Sequence, residues 1–190
     1  MRPPRVNRGG RVLDQVADTR TEILNVALRL FRTQGYAATS LRQIAESVQV
    51  SKAAVYYHFR AKQDIIVALT GPFLAGLEEL IQGAPVSAPS ARSRRELLAA
   101  YLDLLLHQHD VVNLLAGDPS TMNPPKVGLR LAALMTDLRA RLAAGTGEEA
   151  GIRVGCAFAA ISAAANLPVA EARQHRATIL QAALAALGRG

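Results

Sequence analysis

The chain of 190 residues contains a single cysteine and no tryptophan, and only 4% of its residues are aromatic. The lone cysteine, Cys156, excludes an intramolecular disulfide and with it a secreted disulfide scaffold. The basic N-terminus lacks the apolar segment that a secretory signal carries after its charges. The best membrane candidate, residues 154–165, falls short of the roughly 20 apolar residues that a membrane span needs. These absences predict a soluble cytoplasmic protein.

The sequence also lacks the patterns of β-strands and of common catalytic sites. No run of β-branched residues alternates with polar ones, whereas alanine and leucine, both strong helix formers, are abundant, which predicts an all-α fold. There is no nucleophile elbow, phosphate-binding loop, metal-ligand cluster or carboxylate pair with a base. His107 and His109, two residues apart on a helix, point to different faces and cannot readily share an ion, so we expect a solvated pair. The chain is therefore predicted to be no enzyme and to need no metal or cofactor.

The positive charge is concentrated in the first third of the chain. The formal net charge is +7, and residues 1–62 hold eleven Lys and Arg against four Asp and Glu. Residues 63–190 hold eleven of each sign. This asymmetry indicates a polyanionic partner for the basic segment. A basic solubilising tail is the alternative, because residues 1–11 alone supply four arginines.

Capping and breaking residues divide the chain into about nine helices. The Thr19-x-x-Glu22 pattern predicts that the first helix starts after Thr19, and Gly35 can take the left-handed conformation that ends it. Further on, Gly71-Pro72 is expected to kink or interrupt a helix that joins two domains. We interpret the chain as a basic flexible arm (1–18), a helix-turn-helix domain (19–62) and a larger helical domain (63–190).

Two short helices, residues 41–48 and 52–59, have the spacing of a helix-turn-helix, whose second helix enters the major groove of DNA. Ser40 and Ser51 can cap them, and the amides at these helix starts are ready phosphate sites. On the second helix Val55 and Phe59 fall on one face and can anchor it, whereas Tyr57 lies nearly opposite.

Outward tyrosines suit DNA, because their hydroxyls bind phosphates and their rings pack on thymine methyls or sugars. The alternative is that Tyr56, Tyr57 and His58 belong to an ordinary amphipathic surface.

Residues 23–66, ILNVALRLFRTQGYAATSLRQIAESVQVSKAAVYYHFRAKQDII, resemble the tetracycline-repressor (TetR) family of bacterial transcriptional regulators. The resemblance implies an all-α protein in which a three-helix DNA-binding domain precedes a helical domain for ligand binding and dimerisation. It also implies a repressor that a small-molecule ligand releases from its DNA operator. The candidate DNA contacts it implies are Thr39, Ser40, Arg42, Ser51, Lys52, Ala53, Tyr56, Tyr57, His58 and Lys62.

Within this set, Lys52 and Tyr56 are expected nearest to base edges, and the other polar residues mostly hold phosphates. The chain departs from the family at Gln49, where a turn glycine is usual, so we expect a strained conformation there. It also departs at Ala53-Ala54, where the usual Gly-Thr or Gly-Ser is replaced and a hydroxyl donor is lost. Our hypothesis for the arm is that Arg5, Arg8 and Arg11 reach a groove or the DNA backbone.

The larger domain gives weaker signals. Its last two helices, residues 148–166 and 169–187, are rich in small residues that permit close packing, and the resemblance places a homodimer interface there; a plain intrachain core is the alternative. Cys156 is expected to be a buried, inert thiol. Candidate ligand contacts are Tyr101, His109, Met122, Met135 and Phe158.

Two other functions remain open at this stage. One is an architectural, nucleoid-type DNA binder without ligand response. The other is a helical protein that binds no DNA and whose basic head is incidental.

Overall fold

The computed structural model describes residues 8–85, 90–123, 125–143 and 148–188. These residues form α1 (Arg8–Gln34), α2 (Leu41–Val48), α3 (Lys52–His58), α4 (Lys62–Gly83), α5 (Ala91–His107), α6 (His109–Gly117), α7 (Pro125–Leu142), α8 (Glu148–Ser162), α9 (Val169–Gln174) and α10 (Arg176–Leu187). Two 3-10 segments, Pro119–Met122 and Ala163–Asn166, follow α6 and α8. Within these ranges there is no strand, and the predicted all-α class is confirmed. The count rises from about nine to ten because the last predicted helix is divided at His175.

The chain separates into two compact units, Met1–Leu69 and Thr70–Gly190, which we call the N-terminal and C-terminal units. The sequence placed a boundary at residues 62/63, where α4 begins. The first turns of α4 belong to the N-terminal unit, where Ile65 and Ile66 are fully buried.

The start of α1 differs from the prediction. The helix begins at Arg8 rather than after Thr19. The physical reason is that residues 11–18 contain neither proline nor glycine, so nothing in that stretch interrupts the helix, and Gly9 and Gly10 fall in its first turn. The Thr19-x-x-Glu22 pattern therefore lies inside a helix, and residues 8–18 of the predicted flexible arm are helical. Arg5 and the rest of residues 1–7 lie outside the described residues.

The core of the N-terminal unit is built from the apolar stripes that the sequence predicts. In α1 the buried residues are Ile23, Ala27 and Phe31, spaced at one turn of helix. Helix α2 contributes Ile44, Ala45 and Val48, and α3 contributes Val55. Phe59, the C-cap of α3, is also buried.

Helix α4 runs without interruption from Lys62 to Gly83, with Pro72 inside it. Of the kink or interruption predicted at Gly71-Pro72, the interruption is wrong. A proline lacks one N–H and so removes a single backbone bond. In a helix of 22 residues the backbone hydrogen bonds on both sides of Pro72 keep the helix continuous.

The C-terminal unit is assembled around α5, which contacts α6, α7, α9 and α10. Its buried face carries mostly leucines and Tyr101. The most extensive helix pair is α8 with α10, joined by buried side chains such as Phe158 and Ile161 of α8 and Leu180 of α10. In the described part of the chain no helix is long and apolar enough to cross a membrane.

Two predictions about single side chains in this unit were wrong. Cys156 is exposed, because α8 turns Val154, Ala157 and Phe158 inward and leaves the intervening face outside. His109 is buried rather than solvated: it starts α6, and its Nε2 donates to the carbonyl oxygen of Leu167 over 2.9 Å.

Candidate DNA-binding surface and ligand cavity

Helices α2 and α3 form a tight helix-turn-helix whose geometry depends on the residues at its turn. The turn begins at Gln49, which has φ 62° and ψ 34°, a left-handed conformation that L-residues rarely adopt. Its N–H bonds the carbonyl of Glu46 at 3.2 Å, and the N–H of Val50 bonds that of Ala45 at 3.1 Å. The strained conformation expected at Gln49 is therefore present.

Serine caps fix where both helices begin. The Ser40 hydroxyl accepts from the N–H of Gln43, and the Gln43 side chain accepts from the N–H of Ser40 at 2.8 Å. The Ser51 hydroxyl accepts from the N–H of Ala54 at 3.1 Å. Both predicted caps are confirmed, and each satisfies amides that a helix start leaves unbonded.

The outer face of α3 is aromatic and basic. Val55 is fully buried, so α3 is held by that side as predicted. Tyr56 is 44% exposed and Tyr57 is 77% exposed, which is unusual for large apolar rings. The Lys52 ammonium lies 5.5 Å from the centroid of the Tyr56 ring. The half-buried His58 packs edge-on against Tyr57, with ring centroids 5.2 Å apart. This arrangement presents a cation and two phenols on one rigid surface.

Arg42 extends this surface onto the first turn of α2. Its Nε pairs with the Oε1 of Glu46 at 2.7 Å, with side chains that are 79% and 59% exposed. Exposed pairs of this kind contribute little free energy. The guanidinium can therefore exchange Glu46 for a phosphate at small cost.

Two of the ten predicted contacts are not on this surface. Thr39 is only 2% exposed; its hydroxyl donates to the Gly35 carbonyl at 2.8 Å and accepts from the Gln34 amide at 3.0 Å. The Lys62 ammonium donates to the carbonyl of Tyr36 at 2.6 Å and to that of Ala37 at 3.0 Å. Both side chains hold the loop between α1 and α2.

One feature of the N-terminal unit escaped sequence reasoning. The guanidinium of Arg20 lies 5.1 Å from the centroid of the Phe59 ring, where it adds a cation–π contact at the end of α3. The two residues are far apart in sequence and no local pattern connects them.

The C-terminal unit contains a cavity of about 380 Å³ between its middle helices. Of the five predicted ligand residues, Tyr101, Met122 and Met135 line it. Phe158 packs edge-on against Tyr101, with centroids 5.1 Å apart, and does not line it. His109 is engaged with Leu167 instead. Among the described residues that line the cavity, none is Asp, Glu, Lys, Arg or His.

Tyr101 supplies the main polar atom deep in this cavity. Its side chain is 4% exposed, and its hydroxyl donates to the Met135 sulfur at 3.9 Å. A thioether is a weak acceptor, so this bond is poor. Burial raises the pKa of Tyr101 to about 12, opposed in part by Arg139. At neutral pH the phenol is therefore a protonated donor.

The family model that matches this chain covers residues of the N-terminal unit. The sequence model of "Bacterial regulatory proteins, tetR family" matches residues 23–69. A probable HTH-type transcriptional regulator, YttP of Bacillus subtilis, is 29% identical over 92 residues, which are 48% of this chain and 44% of that protein. The HTH-type transcriptional regulator AcrR of Shigella flexneri is 47% identical over 51 residues, 27% of this chain and 24% of that protein.

Similarity of fold extends much further than similarity of sequence. The crystal structure of Mycobacterium smegmatis AmtR matches with a TM-score of 0.62 and 26% identity, covering 90% of this chain and 86% of that one. The chain spans less than half the length of the two curated relatives named above. The family model covers the helix-turn-helix, and the structural match extends over most of the chain. Residues 23–69 therefore match the sequence model of the tetR family of bacterial regulatory proteins, and the fold of the chain is similar to that of AmtR.

Proposed function

We propose that the protein is a DNA-binding transcriptional regulator, a repressor that a small-molecule ligand releases from its operator. The observation that carries the proposal is the outer face of α3, where Lys52, Tyr56 and Tyr57 are exposed on a helix anchored by buried Val55. This is the orientation that the second helix of a helix-turn-helix needs in the major groove. The names of the relatives, which are transcriptional regulators, agree with it.

The exposure of the candidate residues supports a division of roles among the proposed DNA contacts. Lys52 and Tyr56 lie nearest to base edges, and the Ala53 methyl can pack on a thymine methyl. Ser40, Arg42, Ser51, Tyr57 and His58 contact phosphates and fix the register. Thr39 and Lys62 act indirectly, because they hold the loop before α2.

A homodimer formed through the last helices has two DNA-binding domains, one from each copy of the chain. Each helix of the α8–α10 pair uses one face for the intrachain core and leaves another face exposed. On α8 the exposed residues Gly151, Gly155 and Ala159 recur every four positions, and small residues at that spacing let two helices approach closely. To bind two successive major grooves, the recognition helices of two copies joined there need a spacing of about 34 Å, one turn of DNA.

The effector of this regulator is an uncharged, largely apolar molecule. The cavity of about 380 Å³ is within the size range of small-ligand sites. The described residues of its lining carry no formal charge at neutral pH, so a charged ligand would lose its hydration without gaining a partner among them. The Tyr101 phenol can donate to one acceptor atom of the ligand, such as a carbonyl, and gains a better partner than sulfur.

Selection of DNA from a random pool by the purified protein tests the proposal. We expect one enriched, two-fold symmetric sequence bound at least about 10³-fold more tightly than random DNA at the same salt concentration. Neutral apolar compounds should then release it. Equal affinity for every sequence would instead indicate an architectural DNA binder. If the protein bound no DNA at all, the proposed DNA-binding role of the basic residues 1–62 would be refuted.

A further inference from the structure

A second cavity in the C-terminal unit lies where α5 begins and α10 ends. Its volume is about 440 Å³, and its lining contains Arg92, Arg94 and Arg95 from α5 with Leu184 and Leu187 from α10. It shares no lining residue with the cavity that contains Tyr101.

The arginines stand at the unfavourable end of their helix. The N-terminus of α5 carries the positive end of the helix dipole, and its first turn contains no acidic residue. Arg92 is compensated by Glu96, whose Oε1 lies 2.8 Å from its Nε on the surface. The positive charges of Arg94 and Arg95 and of the helix dipole would be stabilised by a bound anion.

Arg94 is the anomaly at this site. It is only 5% exposed, and within the described residues its buried Nε has no hydrogen-bond partner. A buried guanidinium without a counter-charge is strongly unfavourable.

Other arginines of the same unit are satisfied within the chain. Arg176 binds Asp103 with two nitrogens, at 2.5 and 2.6 Å, and Arg141 donates to the carbonyls of Ile81 and Ala84. The segment that precedes α5, residues 86–89, contains no Asp or Glu in sequence, and no Asp or Glu is among the described residues that line the cavity.

We propose that this cavity binds an organic carboxylate, with its headgroup paired to the Arg94 guanidinium and its apolar body against Leu184 and Leu187. A guanidinium is planar and matches the two oxygens of a carboxylate with two parallel hydrogen bonds. The negative charge also offsets the dipole at the start of α5. The site is separate from the effector cavity and does not depend on the proposed regulatory function.

Calorimetry with octanoate tests the site, with octanamide as a neutral molecule of the same length and head shape. For the full chain, octanoate at ten times its Kd should raise the midpoint temperature of unfolding by about 3–6 °C. Octanamide should bind at least about 30-fold more weakly. Equal binding of the two compounds would overturn the proposal.

Variants at adjacent arginines separate the buried charge from the exposed one. Arg94→Met should weaken octanoate binding at least about 30-fold, whereas Arg95→Met, on the exposed neighbour, should change it at most about fivefold. Unchanged octanoate binding by a folded Arg94→Met variant would refute the pairing.

A further variant keeps the test decisive if Arg94→Met does not fold. Leu184→Glu retains Arg94 and places a carboxylate in the same cavity, so octanoate binding should be lost and unfolding should shift to a higher temperature.

Discussion

The ammonium of Lys62 lies 2.6 Å from the carbonyl oxygen of Tyr36 and 4.5 Å from the centroid of its ring, across 26 positions of sequence. A second bond, to the carbonyl of Ala37, is 3.0 Å long. The first turn of α4 is thereby tied to the loop that delivers the chain into α2. In this protein Lys62 holds the loop that precedes the helix-turn-helix, whereas Lys52 lies on the exposed face of α3.

This difference predicts that the same substitution affects stability at Lys62 and DNA binding at Lys52. Lys62→Met should lower the free energy of unfolding by about 2 kcal/mol, because it removes charge-assisted hydrogen bonds and a cation–π contact. Lys52→Met should leave stability within about 0.5 kcal/mol and cost about 1–3 kcal/mol of operator binding. Urea denaturation and fluorescence titration with the selected operator measure the two quantities. A Lys62→Met variant with unchanged stability would contradict the structural role.

The turn at Gln49 predicts a stabilising substitution. A left-handed conformation costs a non-glycine residue about 1–2 kcal/mol, and the greater chain entropy of unfolded glycine offsets part of that gain. Gln49→Gly should therefore raise the free energy of unfolding by about 0.5–1 kcal/mol, measured by urea denaturation.

Gly35, with φ 89°, is the matched control. Gly35→Ala should destabilise by about 1 kcal/mol or more, because its left-handed backbone disfavours a Cβ. A loss of stability in Gln49→Gly would show that the glutamine side chain makes contacts whose stabilisation exceeds the cost of the left-handed backbone.

Several local signals in the sequence predict the structure, although the Thr19-x-x-Glu22 pattern does not, because it lies inside α1. The Ser40 and Ser51 caps and the glycine turn at Gly35 involve partners within about four residues, so composition and spacing reveal them. The same holds for the outward face of α3, which follows from helical periodicity around Val55.

Thr39 shows why part of the site could not be predicted. Its residue type suits a phosphate contact, but its burial depends on how α1, the loop and α2 pack together. Lys62 likewise depends on a partner 26 residues away. The burial predicted for Cys156 was wrong for a related reason, because in a stretch of small residues the periodicity does not reveal which face of the helix is covered.

Tyr101 predicts how stability changes at alkaline pH. Its pKa is about 12 in the folded chain, against 10 for an unperturbed phenol, because burial disfavours the phenolate. The unfolded chain loses this proton from about pH 10, so the contribution of Tyr101 is complete below pH 10 and is lost as pH rises towards 12. The loss amounts to about 2–3 kcal/mol.

Urea denaturation between pH 9 and pH 11.5 compares wild type with two variants. Tyr101→Phe should show a flatter fall in the free energy of unfolding than wild type, because it cannot ionise at this position. Met135→Leu removes the sulfur that accepts from the hydroxyl but keeps the phenol, so it should retain the wild-type slope. Equal slopes for wild type and Tyr101→Phe would exclude the shifted pKa.

The exposed face of α8 predicts the consequence of a single charge. Ala159 lies in the last turn of that helix and is exposed in one chain. In the proposed dimer it is covered by the partner, so Ala159→Arg buries an unpaired guanidinium and should weaken dimerisation by about 3–5 kcal/mol. Ala133→Arg makes the same change on the exposed face of α7 and should leave the dimer intact. Light scattering coupled to gel filtration distinguishes the two states. Because a monomer offers one recognition helix, Ala159→Arg should also lose tight operator binding while its helical circular dichroism is retained; a dimeric Ala159→Arg would move the interface to another surface.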